Sequence, residues 1–296
     1  MPLVSIIIPT FNRAHTIERA LRSVTAQTLQ DFEILVVDDA STDNTAAVLH
    51  QFADPRIQYI RHEENRFAGA ARNTGMAAAT GKYIAFLDSD DAWLPEKLQR
   101  QVGLLEGADQ DCGCSYTGAI INSESGLKKH TIYQPSWHGD ALQAYLLDKF
   151  VIWTPTFLFR SELLQRTGTF DTALIRAEDI DLYLRMLQQC KLSCVSEPMV
   201  ELFLDAGKEI ADVAEKCDWI LLNKHRELIK KQGFFISRHI YANYEFRIGE
   251  RYLNEGSIYR GIRNIGKAIL QYPLLPPKRY AAMIVRLFRA LLGKIR

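Results

Sequence analysis

Tyr83-Ile84-Ala85-Phe86-Leu87-Asp88-Ser89-Asp90-Asp91 joins a largely apolar run of five residues to three aspartates. The apolar run has the length of a buried β-strand. Carboxylates held a few ångströms apart repel one another, so a positive partner is expected beside them. Oxygen ligands suit the hard cations Mg²⁺ and Mn²⁺, which usually bridge one or two protein carboxylates to the phosphates of a substrate. The segment therefore predicts a divalent cation site that serves a nucleotide.

Strand-like and helical patterns alternate on both sides of this segment. The first strand-like run stops at Pro9, and the helical pattern after the second has Ser41 or Thr42 as its expected cap. Continuously apolar strands that alternate with helices predict an α/β fold with a parallel sheet covered on both faces. The pattern predicts strands over 4–8, 33–37, 57–60 and 83–87, and helices over 17–24, from about 43, over 68–79 and after Pro95.

Polar residues stand where three of the predicted strands end. Thr10 follows the first strand, Asp39 follows the second, and the aspartates 88–91 follow the fourth. Ligands of parallel sheets bind beyond the carboxyl ends of the strands. We therefore expect these residues to meet in one crevice.

The second half of the chain has a less regular pattern. We expect an α/β domain over 1–205 and a helical region over 206–296, because everything beyond Asp212 has helical spacing. Within the first domain, the pattern predicts strands over 114–121 and 153–159, helices over 141–150 and 161–166, and a helix that begins at Glu178-Asp179, where the helix dipole favours acids.

Composition limits the class of partner. The 296 residues carry a formal net charge of +1, which gives no reason to expect nucleic acid as a partner. Charge is uneven at one end, because residues 273–296 contain six basic residues and no acid. Residues 278–296 also carry an apolar stripe, so this tail is expected either to contact anionic lipid headgroups as a peripheral membrane segment or to pack on the helical region.

The five cysteines favour reduced thiols in a cytoplasmic protein, at the cytoplasmic face of the membrane if the tail binds lipid. Zinc binding by Cys112 and Cys114 with Cys190 and Cys194 is the alternative, although neither pair has the two-residue gap of common structural zinc sites. We see no secretory leader and no apolar stretch of about 18 residues, the length that spans a bilayer.

Five short motifs, taken in order and spacing, resemble those of family 2 glycosyltransferases over residues 2–196. The resemblance implies an α/β fold of the GT-A type, with a Rossmann-like, mostly parallel sheet flanked by helices and a C-terminal helical extension. The motifs are Val4-Ser5-Ile6-Ile7-Ile8-Pro9-Thr10-Phe11-Asn12-Arg13, Val36-Val37-Asp38-Asp39-Ala40-Ser41-Thr42-Asp43, Ala71-Arg72-Asn73-Thr74-Gly75, Leu87-Asp88-Ser89-Asp90-Asp91 and Glu178-Asp179.

The resemblance implies a role for each residue that would bind the donor. Pro9 and Thr10 would lie against the base and ribose, and Asp39 would accept a hydrogen bond from N3–H of uracil. Arg72 would bind the diphosphate, which suits the bidentate geometry of a guanidinium. The alternatives are a turn or capping role for Asp39 and a solvated helix-surface role for Arg72.

The acidic motifs are assigned on the same basis. Asp90 would bind Mn²⁺ or Mg²⁺ directly, and Asp88 would meet the metal, its water shell or the ribose. Asp91 is expected to be a helix cap or an acceptor-side residue. Asp179 matches the catalytic base of the family, with Glu178 as its competitor for that role; a plain helix N-terminal pair is the alternative.

Three departures from the family pattern stand out. Phe67 occupies a segment after Asn65 where the family often has a glycine, so the loop nearest the diphosphate is expected to differ in shape. Residues 197–212 contain no histidine, although many members have an additional histidine ligand there. The Gln-x-x-Arg-Trp signature of processive synthases is absent after Asp179, which favours one sugar per encounter.

These features predict a metal-dependent, inverting glycosyltransferase. Its donor would be a nucleotide-diphospho-sugar, most simply a UDP-sugar, and its acceptor a hydroxyl of a glycan or lipid-linked substrate in polysaccharide or glycolipid assembly. A sugar nucleotidyltransferase is the first alternative, but the Gly-rich phosphate loop expected of one is absent after the first strand. A catalytically silent nucleotide-sugar-binding protein is the second.

Overall fold

The computed structural model describes residues 1–123, 130–204 and 210–274, so the basic tail over 278–296 lies outside the described residues. The chain divides into two compact units. One comprises residues 1–145 and 150–206, and the other comprises residues 146–149 and 207–296.

The first unit is built on one large mixed sheet. Its described strands are β1 (Val4–Thr10), β2 (Phe32–Asp38), β3 (Ile57–Arg61), β4 (Tyr83–Phe86), β5 (Ala92–Trp93), β6 (Cys112–Ser123), β7 (His130–Tyr133), β8 (Leu158–Arg160) and β9 (Lys191–Leu204). Their order is β3-β2-β1-β4-β8-β6-β9-β5, and β7 pairs with β6. β1 to β4 are parallel, and the sheet turns antiparallel where β8 joins β4.

Helices cover this sheet on both faces. The described helices of the first unit are α1 (Ile17–Thr25), α2 (Thr45–His50), α3 (Phe67–Ala78), α4 (Lys97–Glu106), α5 (Leu142–Leu146), α6 (Leu164–Thr167) and α7 (Glu178–Leu187). Side chains alternate along each strand, so β1 contributes to two cores. Ile6 and Ile8 pack in the core that contains α1, whereas Ile7 packs in the core that contains α7.

α3 lies unusually close to the central strand. A Cβ built on Gly75 would come within 2.5 Å of Ile7 Cγ2, so only glycine permits this approach. The contact fixes α3 against β1, and Arg72 stands one turn earlier on the same helix.

Three local predictions were wrong, for identifiable reasons. Ser41 and Thr42 do not cap α2: Ser41 Oγ accepts from Asn12 N–H, Thr42 N–H donates to Asn12 Oδ1, and α2 begins later. The strand predicted over 153–159 contains Pro155, which has no N–H for a ladder, and a 3₁₀ turn at Thr154–Thr156 precedes β8. The helix predicted over 141–150 ends at Leu146, and the left-handed backbone of Asp148 follows (φ 54°).

The remaining described elements are helices of the second unit. They are α8 (Ala211–Lys224), α9 (Arg226–Lys231), α10 (Phe234–Asn254) and α11 (Ile258–Gln271). α10 and α11 pack through a small core around Phe246 and Ile265. No described helix is both long and apolar enough to cross a bilayer. All five cysteines are free thiols, and the Sγ atoms of Cys114 and Cys190 lie 3.3 Å apart.

Candidate active site

A cleft of about 380 Å³ opens at the carboxyl ends of β1, β2 and β4. The structure brings into its wall six of the seven residues predicted for the site: Pro9, Thr10, Asp39, Arg72, Asp88 and Asp90. Thr10 Oγ1 is buried and has no hydrogen-bond partner. Since buried polar groups are normally paired, a bound ligand can supply the partner that Thr10 lacks here.

Asp39 is held at the floor of the cleft by contacts that the sequence analysis missed. Both of its carboxylate oxygens accept the backbone N–H of Arg66, at 2.9 and 3.0 Å, and Oδ1 lies 2.7 Å from His62 Nδ1. His62 Nε2 in turn lies 2.9 Å from Thr74 Oγ1 on α3. These contacts fix the carboxylate against Arg66, the residue that precedes α3, and they leave lone pairs free for a ligand donor. A histidine one position beyond the third strand was the available signal.

Arg72 is buried between two carboxylates from distant parts of the chain. Its Nη2 donates to Asp88 Oδ1 at 2.7 Å, and its Nη1 donates to Glu178 Oε1 at 2.9 Å. Burial opposes the charge of Arg72, but Asp88 and Glu178 outweigh this effect and raise its pKa. The guanidinium is therefore a permanent cation in the cleft wall, and the alternative of a solvated surface arginine is wrong.

Asp88 and Asp90 both remain partly open to the cleft, with about 30% of each side chain exposed. Arg13, which also lines the cleft, approaches Asp90 with Nη2 3.5 Å from Oδ2. The two carboxylates thus face two guanidinium groups, Arg13 and Arg72. Arg13 is the last residue of the first motif, and no role was predicted for it from the sequence.

Asp91 points elsewhere. Its Oδ1 accepts the backbone N–H of Phe203 at 2.8 Å, and it does not line the cleft. Burial, together with the neighbouring Asp88 carboxylate, raises the pKa of Asp91 to about 8. Asp91 caps no helix, since α4 begins at Lys97, and its role is to tie the end of the motif to β9.

Asp179, the seventh predicted residue, does not line the cleft itself. It is the second residue of α7 and follows Glu178, whose carboxylate binds Arg72. Burial and the Glu178 carboxylate together raise the pKa of Asp179 to about 6, against the opposing effect of Arg72. A carboxyl whose pKa is near neutrality, close to a permanent cation, has the properties of a general base.

The donor set of the cleft fits a hard divalent cation. Within the described ranges, no group of three or more His, Cys, Asp or Glu side chains could hold a metal ion by itself. Two partly open carboxylates, Asp88 and Asp90, do stand together there. Mg²⁺ and Mn²⁺ are commonly bound by one or two carboxylates, with the other positions filled by water and substrate phosphates. The residues present fit that arrangement.

Phe67 forms part of the cleft wall with an unfavourable backbone. It is 58% exposed, and its φ of 65° is in the left-handed region that favours glycine. The difference in loop shape from the family stays a prediction, and the observed backbone of Phe67 has a conformation that glycine adopts readily. Strain of this kind at a ligand cleft is kept only when the surroundings enforce it.

The left-handed backbone of Phe67 leads to a testable order of stability. We expect Phe67→Gly to be more stable to unfolding than Phe67→Ala by about 1 kcal/mol, because only glycine relieves the left-handed strain. At an ordinary helical position alanine is the more stable of the two. Chemical denaturation of both variants measures the difference, with Gly103→Ala, at an exposed position of α4, as a control of opposite sign. An alanine variant as stable as the glycine variant would contradict the left-handed assignment.

Comparison with known proteins identifies the sequence family of the chain. The sequence model of "Glycosyl transferase family 2" matches residues 5–168, more than half of the chain. The chain belongs to glycosyl transferase family 2. The family predicted from the motifs is thereby confirmed, and with it the class of enzyme, a glycosyltransferase.

Two curated glycosyltransferases are similar in sequence to this family 2 chain. It is 34% identical to the Escherichia coli UDP-Glc:alpha-D-GlcNAc-diphosphoundecaprenol beta-1,3-glucosyltransferase WfgD over 195 residues, which is 66% of this chain and 73% of WfgD. It is 40% identical over 127 residues to the putative teichuronic acid biosynthesis glycosyltransferase TuaG of Bacillus subtilis, which is 42% of this chain and 50% of TuaG.

Solved structures confirm the fold of this family 2 chain. TarS of S. aureus, in complex with UDP-GlcNAc, has a TM-score of 0.60 at 18% identity and covers 92% of this chain and 91% of its own. The mannosyltransferase PcManGT of Pyrobaculum calidifontis, in complex with GDP-Man and Mn²⁺, has a TM-score of 0.62 at 20% identity and covers 99% and 87%. The predicted α/β fold with helical C-terminal elements is thus confirmed.

Proposed function

We propose that this family 2 chain is an inverting glycosyltransferase that moves a sugar from a UDP-sugar to an acceptor hydroxyl. The observation that carries the proposal is the single cleft that gathers Asp39, Arg72, Asp88 and Asp90 from separate strands and helices. Two cations and three carboxylates around about 380 Å³ suit a charged, polar ligand such as a nucleoside diphosphate.

The base, the ribose and the diphosphate of the donor would each have a partner in this cleft. Asp39 would accept N3–H of uracil with a carboxylate already oriented by His62 and Arg66. Pro9 and Thr10 would border the base and ribose. Arg72 and Arg13 would face the diphosphate, since guanidinium groups bind phosphate oxygens with good geometry. TarS with UDP-GlcNAc and PcManGT with GDP-Man support a nucleotide-sugar donor, and WfgD supports uridine.

Asp88 and Asp90 would hold Mn²⁺ or Mg²⁺ against the diphosphate. When bound, the cation supplies charge neutralisation for the leaving diphosphate. The PcManGT complex with Mn²⁺ supports such a cation. Arg72 contributes to the same neutralisation from the protein side, because its charge is held permanently by Asp88 and Glu178.

Asp179 would accept the proton in the transfer step. The acceptor oxygen forms a bond to C1 of the sugar while the bond from C1 to the diphosphate oxygen breaks. The diphosphate leaves with the electron pair, and the proton of the acceptor hydroxyl goes to the Asp179 carboxylate. A single displacement of this kind inverts the configuration at C1.

The acceptor is proposed at the level of its class. WfgD is named for a diphosphoundecaprenol-linked acceptor and TuaG for teichuronic acid biosynthesis, which favours a glycan or lipid-linked acceptor in polysaccharide or glycolipid assembly. A cytoplasmic protein whose basic residues 278–296 contact the membrane surface is consistent with such an acceptor.

Donor choice tests the proposal directly. Purified protein with Mn²⁺ is expected to gain thermal stability with UDP and UDP-sugars more than with CDP or GDP, since binding stabilises the folded state by mass action. Asp39→Ala should weaken UDP binding by about 10- to 100-fold, the usual effect of losing a hydrogen bond to a charged group. Asp31→Ala, a change at an exposed acid outside the cleft, serves as the control.

Three results, from this screen or from assays of the reaction products, would contradict the assignment. Equal stabilisation by all nucleotides would remove the base-reading role of Asp39. Release of pyrophosphate from UTP and a sugar phosphate would identify a nucleotidyltransferase instead. Binding of UDP-sugars without hydrolysis, and without transfer to any acceptor, would identify a silent binding protein.

The pH dependence of transfer follows from the raised pKa of Asp179. Only the ionised carboxylate can accept a proton, so kcat/KM should rise with pH through about 6 and level off above it. At pH 5 the rate should be about one tenth of the plateau, because about a tenth of the groups would be ionised there. A rate profile measured at fixed Mn²⁺ that stays flat across this range would exclude Asp179 as the titrating base.

A further inference from the structure

The second unit has an exposed apolar cluster at one end of the α10–α11 pair. Four large apolar side chains there are 68–80% exposed, although most side chains of this kind in the described residues are buried. Two lysines precede them at the end of α9, and both are exposed. We call this set the aromatic–basic surface: Phe234, Phe235, Leu270, Leu274, Lys230 and Lys231.

The apolar side chains of this surface come from two places in the chain, the start of α10 and the end of α11 with the residues after it. Arg238 on α10 donates through Nε and Nη2 to the carbonyls of Gln271 and Leu270 at the end of α11, at 2.6 and 3.1 Å. The Phe234 ring lies 5.4 Å from the guanidinium of Arg238, and His239 stacks on Tyr272 at 4.5 Å. These contacts place the start of α10 beside the end of α11, so their exposed apolar side chains share one end of the unit.

The turn before α10 presents the two phenylalanines. Gly233 has a φ of 94°, and the helix begins immediately after it. The rings of Phe234 and Phe235 are 5.4 Å apart in an edge-to-face arrangement and are 68% and 75% exposed. Isolated apolar side chains on a surface are common, whereas clusters of them usually mark an interaction site. The exposed aromatic pair therefore indicates an interaction site at this end of α10.

Charge identifies the partner. Residues 224–239, which include both lysines of the surface, contain five basic residues against the single acid Glu227. Glu227 pairs with Lys230 at 2.8 Å. A second copy of the chain docked symmetrically through this surface would bring two net-positive patches together, which is unfavourable. An anionic lipid surface satisfies both properties, because its headgroups attract lysine while its acyl boundary accepts aromatic side chains.

We propose that the aromatic–basic surface docks the second unit onto anionic membrane, with Phe234 and Phe235 inserted at the headgroup boundary. The proposal concerns described residues and is separate from the predicted role of the tail over 278–296. Its link to a lipid-linked acceptor rests on the proposed function, whereas the docking itself does not.

Vesicle sedimentation of the full chain tests the docking. Wild-type protein should bind vesicles of phosphatidylcholine mixed with phosphatidylglycerol, bind phosphatidylcholine alone weakly, and dissociate as salt rises. The double variant Phe234→Ser, Phe235→Ser should bind the anionic vesicles about tenfold or more weakly, since it removes the apolar surface that inserts. Lys230→Gln with Lys231→Gln should weaken binding and reduce its salt dependence.

A matched control removes exposed apolar side chains elsewhere on the same helix pair. Tyr259 and Ile262, at the other end of α11, are 80% and 52% exposed, and replacing both with serine should leave vesicle binding unchanged. All variants should unfold at the same temperature as wild type and hydrolyse UDP-sugar equally in vesicle-free buffer. If wild-type protein does not hydrolyse UDP-sugar, that result counts against the proposed function. Vesicle binding still decides whether the surface docks on membrane.

Three results would overturn the proposal. The first is wild-type protein that does not bind anionic vesicles, and the second is a Phe234→Ser, Phe235→Ser variant that binds them as well as wild type. The third is a stable dimer in lipid-free solution that this variant dissociates, since the surface would then be an interface between copies of the chain.

Discussion

Asp179→Asn is expected to lower transfer to the acceptor by about 10²- to 10⁴-fold, the usual contribution of a general base. Asparagine keeps the shape of the side chain but cannot take the proton of the acceptor hydroxyl. Asp179 does not line the donor cleft, so UDP affinity should stay within a few-fold of wild type. Steady-state transfer assays combined with calorimetric titration of UDP measure both quantities.

Glu178→Gln is the matched control for the same helix turn. Glu178 binds Arg72 Nη1 at 2.9 Å, so its neutral analogue should disturb donor binding more than the proton-transfer step. We expect a higher KM for the donor and a kcat within about tenfold of wild type. If Glu178→Gln instead lost the turnover and Asp179→Asn kept it, the base would be Glu178.

Asp90→Ala is expected to reduce turnover by about 10³-fold or more and to remove its dependence on Mn²⁺. Stabilisation of a leaving diphosphate by a metal is worth several kcal/mol, and each 1.4 kcal/mol is about tenfold in rate. Asp90 lines the cleft with an open carboxylate whose charge faces Arg13. Rates measured across a Mn²⁺ titration, with and without chelator, give the comparison.

Asp91→Asn tests whether any acid of the motif would have the same effect. Asp91 accepts the N–H of Phe203 and stands outside the cleft, and asparagine retains an acceptor oxygen. Its turnover and Mn²⁺ dependence should therefore stay within about tenfold of wild type. Metal-stimulated turnover that survives in Asp90→Ala would contradict the assignment of Asp90.

The first half of the fold was predictable because three of its four parallel strands, β1, β2 and β4, bury both faces. β1 to β4 follow the predicted runs within two residues at each end, since continuous apolar runs bounded by polar turns leave few alternatives. β9 was missed because polar residues and Pro198 interrupt its apolar residues. Its length depends on pairing with β6, which a local pattern does not reveal.

The sequence predicted six of the residues that line the cleft but not the contacts that hold them in place. Asp39, Asp88 and Asp90 were expected in one crevice because strand tips converge in a parallel sheet, whereas Arg72, on α3, was expected from the resemblance to the family. Two contacts were not predicted. One is that of His62 with Asp39. The other is the ion pair of Arg72 with Glu178, which joins residues 106 positions apart and so leaves no local sequence pattern. Phe67 is a third example. The sequence showed that its side chain differs from the glycine common in the family, and the structure shows its left-handed backbone.

Crystals grown with UDP and Mn²⁺, measured at a wavelength where manganese scatters anomalously, would decide whether one cleft binds the whole donor group. We predict a single anomalous peak between the Asp90 carboxylate and the diphosphate, with the diphosphate facing Arg72 and the uracil N3 facing Asp39. Uridine bound outside this cleft, or manganese held by carboxylates other than Asp88 and Asp90, would contradict it.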